Sequence, residues 1–269
     1  MLTYPDLEPV AIALGPVKIH WYGLMYLVGF VGGWWLGRVR ARRPDSLFTP
    51  EQMDDLLFYI ALGVVLGGRL GYMLFYGFHD WLENPLRILQ VWQGGMSFHG
   101  GLLGVMFAMW LFARRLGLGF FQVADFVAPL ATIGLFAGRM GNFINAELWG
   151  APTGSPLGMR VPCERAPDLC AQMGRGSDPL YSIPVHATSL YEALLEGVVL
   201  LIILWLFSAR PRPVMAVSGL FLVCYAVFRM GVEFLRLPDA HIGYLAGGWL
   251  TMGHLLSLPM LAGGVLLLT

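Results

Sequence analysis

The sequence predicts an all-α integral membrane protein, a single polytopic domain over residues 1–269 with seven transmembrane helices and one sizeable extramembrane insertion. Three observations predict it. Of the 269 residues, 57% are hydrophobic and only 13% charged, against about 25% charged in an average soluble domain. Seven apolar segments can be counted, each near the roughly 20 residues that span a bilayer. Arginines gather after the first, third and fifth of these segments, the alternation expected of a chain threading a membrane.

In order, the segments cover 19–37, 56–77, 96–113, 120–142, 189–207, 216–235 and 249–268. Arg38, Arg40, Arg42 and Arg43 follow the first; Arg114 and Arg115 follow the third, a short one that begins within a Gly-rich turn; Arg210 and Arg212 follow the fifth. All of these fall on one side if every segment crosses, and the positive-inside rule makes that side cytoplasmic. The N-terminus is then outside and the C-terminus inside, so segments two, four and six end at the outer surface. No basic stretch, apolar core and small-residue cleavage site open the chain, so no removable signal peptide is expected. The 35 glycines exceed the usual share of about 7% and suit close helix packing in lipid.

Two outer loops follow from this threading. The shorter, 78–95, contains "HDWLENP" and two tryptophans, Trp81 and Trp92, suited to the membrane interface. The longer, 143–188, is rich in Pro, Gly and charge and reads as a small head with little regular structure. Cys163 and Cys170 share it, as a disulfide if the loop faces an oxidising compartment and as free thiols otherwise. No CxxC or Cys/His cluster suggests structural zinc. A net charge of zero argues against nucleic acid as a partner.

Against this apolar background, ionisable groups within or at the ends of the segments stand out: Arg69, Asp125, Arg139, Glu147, Glu192, Glu196, Arg229 and Glu233. An Arg at mid-bilayer costs at least ~2.5–3.5 kcal/mol on insertion scales, so such groups have partners or face a polar cavity. Arg69 and Asp125 fit equally well as locks between helices. In "CYAVFRMGVEFLR", Tyr225, Arg229 and Glu233 stand four apart and Arg236 three further on, which places all four on one helical face. "GRMGNFINAELWG", residues 138–150, ends at the same depth with Arg139, Asn142, Asn145 and Glu147. Two arginines there suit a lipid phosphate. Histidine is the residue type whose unperturbed pKa lies near neutrality, and His99 stands between glycines in "QGGMSFHGG", although a lone His is more often structural. His20 and Tyr22 at the outer end of segment one are equally compatible with an aromatic belt.

Absences narrow the chemistry. There is no HExxH pair, Walker loop or GxSxG elbow, and no cluster of carboxylates for a metal-dependent phosphotransferase. The expectation is a polar pocket without metal or other cofactor, open toward the outer leaflet, built of Arg, His, Tyr, Asn and Glu.

At this point the residues resemble a known family. "GRMGNFINAELWG" is similar to the signature of bacterial phosphatidylglycerol:prolipoprotein diacylglyceryl transferases, and "HWYGLMYLVGF", "LGGRLGYMLFY", "VWQGGMSFHGGLLGV", "FFQVADFVAPL", "AVSGLFL" and "FRMGVEFLRLPDA" resemble the same family in the same order. The resemblance runs from about residue 15 to 260 and is weakest in the loop 143–188. It implies a multi-pass enzyme of the bacterial inner membrane with seven helices, a periplasmic N-terminus, a cytoplasmic C-terminus and a small periplasmic head at 143–188. It also implies the activity: the sn-1,2-diacylglyceryl group of phosphatidylglycerol moves to the lipobox cysteine of a preprolipoprotein signal peptide, and glycerol 1-phosphate leaves. This thioether formation is the first step of lipoprotein maturation.

The family's arginines in "GRxGN" and "FRxxVEF" match Arg139 and Arg229, candidates for stabilising the departing phosphate, and its "SFHGG" histidine matches His99, candidate base for the thiol. Tyr22, Asn142, Glu147, Gly150 and Glu233 match further positions that line or shape the site, with Glu147 and Glu233 expected to orient the arginines; Tyr225 joins them from the stripe. One departure is visible. Where the family usually reads "HPSQLYE", this chain has "HATSLYE" at 186–192, which bears on contacts between head and helix. The rival class is an anion or lipid transporter, which would want access from both faces and a clear internal repeat.

Overall fold

A computed structural model describes residues 1–5, 7–15, 17–90, 94–238 and 243–269. In chain order it contains strands β1 (Leu2–Thr3), β2 (Val10–Leu14) and β3 (Val17–His20), then helices α1 (Trp21–Ala41), α2 (Pro50–Phe75) and α3 (Phe78–Glu83). A 3₁₀ turn at Pro85–Leu89 precedes α4 (Phe98–Leu116) and α5 (Phe120–Ile144). Strand β4 (Met159–Arg160), α6 (Pro167–Met173), α7 (Thr188–Glu192), a π-helical segment Ala193–Val199, α8 (Leu200–Phe207), α9 (Ala216–Glu233) and α10 (Met252–Leu268) complete it.

The seven apolar segments each coincide with helix: α1, α2, α4, α5, the run from α7 to α8, α9 and α10. Among the described residues, Pro50–Phe75, Phe120–Ile144, Thr188–Phe207 and Ala216–Glu233 are long and apolar enough to cross a membrane. The chain is therefore a mostly helical membrane protein. Its exterior agrees, since α2 exposes Phe58, Leu62, Val65, Leu66 and Leu70, side chains that water would not tolerate as a continuous face. Trp81 lies in α3; Trp92 lies outside the described residues.

The chain divides into two compact units, one of Met1–Gly33 with Ala128–Thr269, the other of Trp34–Val127. In the second unit α2 and α4 pack backbone to backbone along glycines spaced by four, Gly63, Gly67 and Gly71 facing Gly100 and Gly104. A Cβ on Gly67 or Gly71 would sit 2.7 Å from the Cα of Gly104 or Gly100, so only glycine permits this approach. Arg69, 4% exposed, turns its guanidinium onto the carbonyls of Arg87, Ile88, Gln90, Gly94 and Gly95. It ties down the loop between α3 and α4.

In the first unit, segment 143–188 holds more structure than its composition led one to expect. Met159 and Val161 are buried on either side of Arg160, the alternation of a strand, and β4 pairs in parallel with β1. Trp149, Met159, Val161, Leu169 and Val185 close a small core around Tyr4. The Tyr4 hydroxyl shares its one proton between the carbonyls of Phe143 and Ile144, each 2.9 Å away, so the N-terminal segment caps the end of α5. Cys163 and Cys170 form a disulfide. Pro and Gly hid this core from composition because they supply its turns.

Candidate functional site

The site grows from three helices of the first unit that each carry charge in an apolar run. Arg139 projects from α5, Arg229 from α9, and Glu192 and Glu196 from the α7–α8 helix. Both carboxylates are fully buried. Arg139 places Nη1 3.2 Å from Glu192 Oε2 and donates from Nε and Nη2 to Glu196 Oε2 at 3.3 and 3.2 Å. Arg229 donates from Nη1 to Glu192 Oε1 and pairs through Nη2 with Glu233 Oε2 at 2.9 Å. Glu192 is therefore the hub: one oxygen faces each arginine. Arg236 adds a third guanidinium 3.9 Å from Glu192 Oε1.

Local geometry explains why Glu192 and Glu196 reach the same guanidinium. Glu192 ends α7 and Glu196 lies in the π-helical segment. Such i→i+5 turns are rare and concentrate at functional sites; here the two carboxylates four residues apart serve one arginine. Burying these ions unpaired would cost several kcal/mol each, a cost that their ion pairs with Arg139 and Arg229 offset. Some donor surface is left, for the side chains of Arg139 and Arg229 remain 19% and 13% exposed.

Tyr225 and Tyr22 flank the network. Tyr225 lies on α9 one turn before Arg229, stacked on Phe221, within electrostatic reach of Arg139, Arg229, Glu192 and Glu196. Tyr22, at the start of α1, packs edge-on against Tyr26 with ring centroids 5.3 Å apart and lies within electrostatic reach of both Glu147 and Arg139. Its ring lies against Gly141, where a Cβ would come within 2.9 Å.

The end of "GRMGNFINAELWG" forms a second polar group. The amides of Asn142 and Asn145 donate to the two oxygens of Glu147 at 3.2 and 3.3 Å. Ala146 and Leu148, on either side of Glu147, adopt φ of 57° and 59°, strained values for residues other than glycine. Glu147 was expected to orient an arginine; instead its partners are these amides, and Arg139 is held by Glu192 and Glu196. Gly150 makes a structural joint: its N–H donates to the His186 carbonyl at 2.8 Å, and a Cβ would stand 2.7 Å from both His186 Cβ and Thr188 Cγ2. Thr188, within the "HATSLYE" departure, donates to the Leu148 carbonyl at 2.5 Å. The altered motif therefore still binds the turn that follows α5.

Arg139, Arg229, Glu233 and Tyr225 thus come together, with Tyr22 close by and Asn142 and Glu147 paired beside them. His99 belongs to the second unit, exposed in the first turn of α4, whose N-cap Ser97 accepts from Gly100 N–H at 3.2 Å. Sequence reasoning flagged Glu192 and Glu196 as costly charges without giving them a role. The signal was present: two buried arginines call for counter-charges, and "YEALLEG" holds two carboxylates four apart in an otherwise apolar run.

Comparison with known proteins bears on this geometry. The family described as "Prolipoprotein diacylglyceryl transferase" matches residues 9–269. Curated relatives named "Phosphatidylglycerol--prolipoprotein diacylglyceryl transferase" include one from Azotobacter vinelandii, 58% identical over 264 residues, covering 98% of this chain and 94% of the relative. Another, from Solidesulfovibrio magneticus, is 57% identical over 268 residues, covering 100% and 96%. A third, from Pseudomonas aeruginosa, is 54% identical over 268 residues, covering 100% and 95%.

Proposed function

The chain belongs to the prolipoprotein diacylglyceryl transferase family, and from that premise we propose that it transfers the diacylglyceryl group of phosphatidylglycerol to the lipobox cysteine of preprolipoproteins. The observation that carries the reading at the level of residues is the shared carboxylate: Arg139 and Arg229, from different helices, are both braced on Glu192. Guanidiniums fixed in this way meet a phosphate as directed donors and do not have to reorganise as charge develops.

The cysteine sulfur attacks the glyceryl carbon esterified to phosphate. A carbon–sulfur bond forms, the carbon–oxygen bond to phosphorus breaks, and glycerol 1-phosphate departs with the electron pair. Arg139 and Arg229 stabilise the phosphate oxygens as the charge grows. The thiol, with a free pKa of about 8.5, gives its proton to a base, for which His99 is the candidate. Tyr22, Tyr225, Asn142, Glu147, Gly150 and Glu233 line or brace the site. The reaction as written needs no cofactor.

The same reading sets the chain in the bacterial inner membrane with seven crossings, N-terminus periplasmic and C-terminus cytoplasmic, and residues 143–188 as a periplasmic head. Its partners are phosphatidylglycerol, lipobox signal peptides and bulk membrane lipid, with no nucleic acid. The arginine-rich ends support that orientation, and the Cys163–Cys170 disulfide suits an oxidising compartment. The test is direct: purified protein is incubated with phosphatidylglycerol and a lipobox peptide, and the peptide is weighed. A gain of one diacylglyceryl mass on cysteine is expected. No gain, beside a relative that is active in the same tube, refutes the reading.

A further inference from the structure

Glu233 is 6% exposed and meets Arg229 through Oε2. Its other oxygen faces the first turn of α10. Thr251, the N-cap of that helix, donates its hydroxyl to Glu233 Oε1 at 2.7 Å. A hydroxyl has one proton to give. With it committed to the carboxylate, the 3.0 Å contact between Thr251 Oγ1 and His254 Nδ1 requires the imidazole to donate, which assigns the Nδ1–H tautomer. The longer 3.4 Å approach of Thr251 N–H to the same nitrogen then gives way.

His254 is held in place for this. It is 4% exposed, with Phe234 and Trp249 packed on its ring at centroid distances of 4.5 and 5.8 Å. Between Thr251 and His254, Gly253 leaves the space the carboxylate occupies. A Cβ there would lie 2.5 Å from Glu233 Cδ and Oε1 and 2.7 Å from Oε2. The amino end of a helix also favours a carboxylate electrostatically. One turn of α10 therefore supplies a donor, a brace for that donor and a vacant Cβ position, all directed at the carboxylate on which Arg229 rests.

We propose that this turn, through Thr251, Gly253 and His254, is a positioning device for Arg229: it fixes the guanidinium by holding Glu233 from the opposite side. The inference rests on the transferase reading above. None of the three residues touches Arg229 in the contacts described; they act through Glu233.

Gly253→Ala is the discriminating variant. Alanine is the better helix former, and the group it displaces is the far end of a flexible side chain, so the fold is retained. The carboxylate must nevertheless move off its mark. The expected result is a fall in kcat of about ten-fold, the order for loss of one charged hydrogen bond, with KM for phosphatidylglycerol little changed and a cooperative thermal transition retained. Thr251→Val and His254→Leu fall similarly. Thr251→Ser and His254→Gln, which keep a donor, stay near the wild type. In a Glu233→Gln background, Gly253→Ala adds little further loss, because the residues act in series. An active wild type with Gly253→Ala at unaltered kcat, or with the full loss repeated in the Glu233→Gln background, overturns the positioning role. A wild type that transfers nothing overturns the transferase reading instead.

Discussion

Replacing Glu192 by Gln is the sharpest single perturbation of the site. The carboxylate is fully buried and divides its oxygens between Arg139 Nη1, at 3.2 Å, and Arg229 Nη1. Glutamine keeps the volume but has one oxygen, so its NH₂ must face one of the two guanidiniums, donor against donor. Removing one partner of a buried ion pair costs about 3–5 kcal/mol. Here each arginine retains a second carboxylate, Glu196 for Arg139 and Glu233 for Arg229, so about half of that, roughly 2 kcal/mol, is expected. If it falls on the transition state, kcat/KM drops about 30-fold, since about 1.4 kcal/mol is a factor of ten. The assay is diacylglyceryl transfer to a lipobox peptide in detergent or vesicles, with kcat and KM resolved and a thermal scan alongside. Combining the change with Arg139→Lys should give less than the product of the two separate losses, because both disturb one network. A Glu192→Gln enzyme within two-fold of wild type, or losses that simply multiply, would refute the idea that Glu192 is the common brace.

Three further outcomes are expected. Arg139→Lys keeps the charge but has no planar fork to serve Glu192 and Glu196 together, so activity should fall at least about ten-fold with the protein still folded; unimpaired turnover removes the clamp role. His99→Gln should cost most near pH 7 and progressively less above pH ~8.5, where the thiol ionises without help; a loss independent of pH between 6.5 and 9 assigns His99 to positioning. Changing Cys163 and Cys170 to Ser opens a loop with a sequence separation of 7, for which chain entropy gives about 2 kcal/mol. The thermal midpoint should drop, and reductant should then have no further effect. An unchanged midpoint would mean that the small core around Val161 and Val185 holds the segment without it.

Legibility from sequence differed between fold and site for physical reasons. Helices were legible because a bilayer demands long apolar runs with internally satisfied backbones, and each of the seven runs is helical. Arg139, Arg229, Glu233 and Tyr225 were legible because a charge in such a run stands out and spacing of four fixes a shared face. What failed was pairing between elements. Glu147 is nearer to Arg139 in sequence than Glu196 is, yet chain proximity says nothing about which helix packs beside which. Spacing of four puts Glu192 and Glu196 on one face, but which arginine that face meets is set by packing, and the π-helical segment that holds Glu196 has no residue code. Thr251, Gly253 and His254 are ordinary residues at a helix start; their importance lies only in which carboxylate stands opposite. The core of segment 143–188 was hidden likewise, because its turns are rich in Pro and Gly and it draws on Tyr4 from far away in the chain.

The three carboxylates explain how arginines can wait in such a place. Unpaired, Arg139 and Arg229 would each carry the cost of a charge in an apolar helix and would be free to swing toward any anion. Paired with Glu192, Glu196 and Glu233, they give up net positive field and gain fixed orientation. What they then offer a phosphate is the set of N–H vectors left outside the ion pairs, pointing in directions set by α5, α7 and α9. Fixed direction is what transition-state stabilisation requires, because charge develops on phosphate oxygens that hardly move, and donors already aimed at them strengthen their hold without reorganising. A site held this way depends on the groups behind its arginines as much as on the arginines themselves, which is why changes at Glu192 and Gly253, residues assigned no direct contact with substrate, are the ones expected to be most informative.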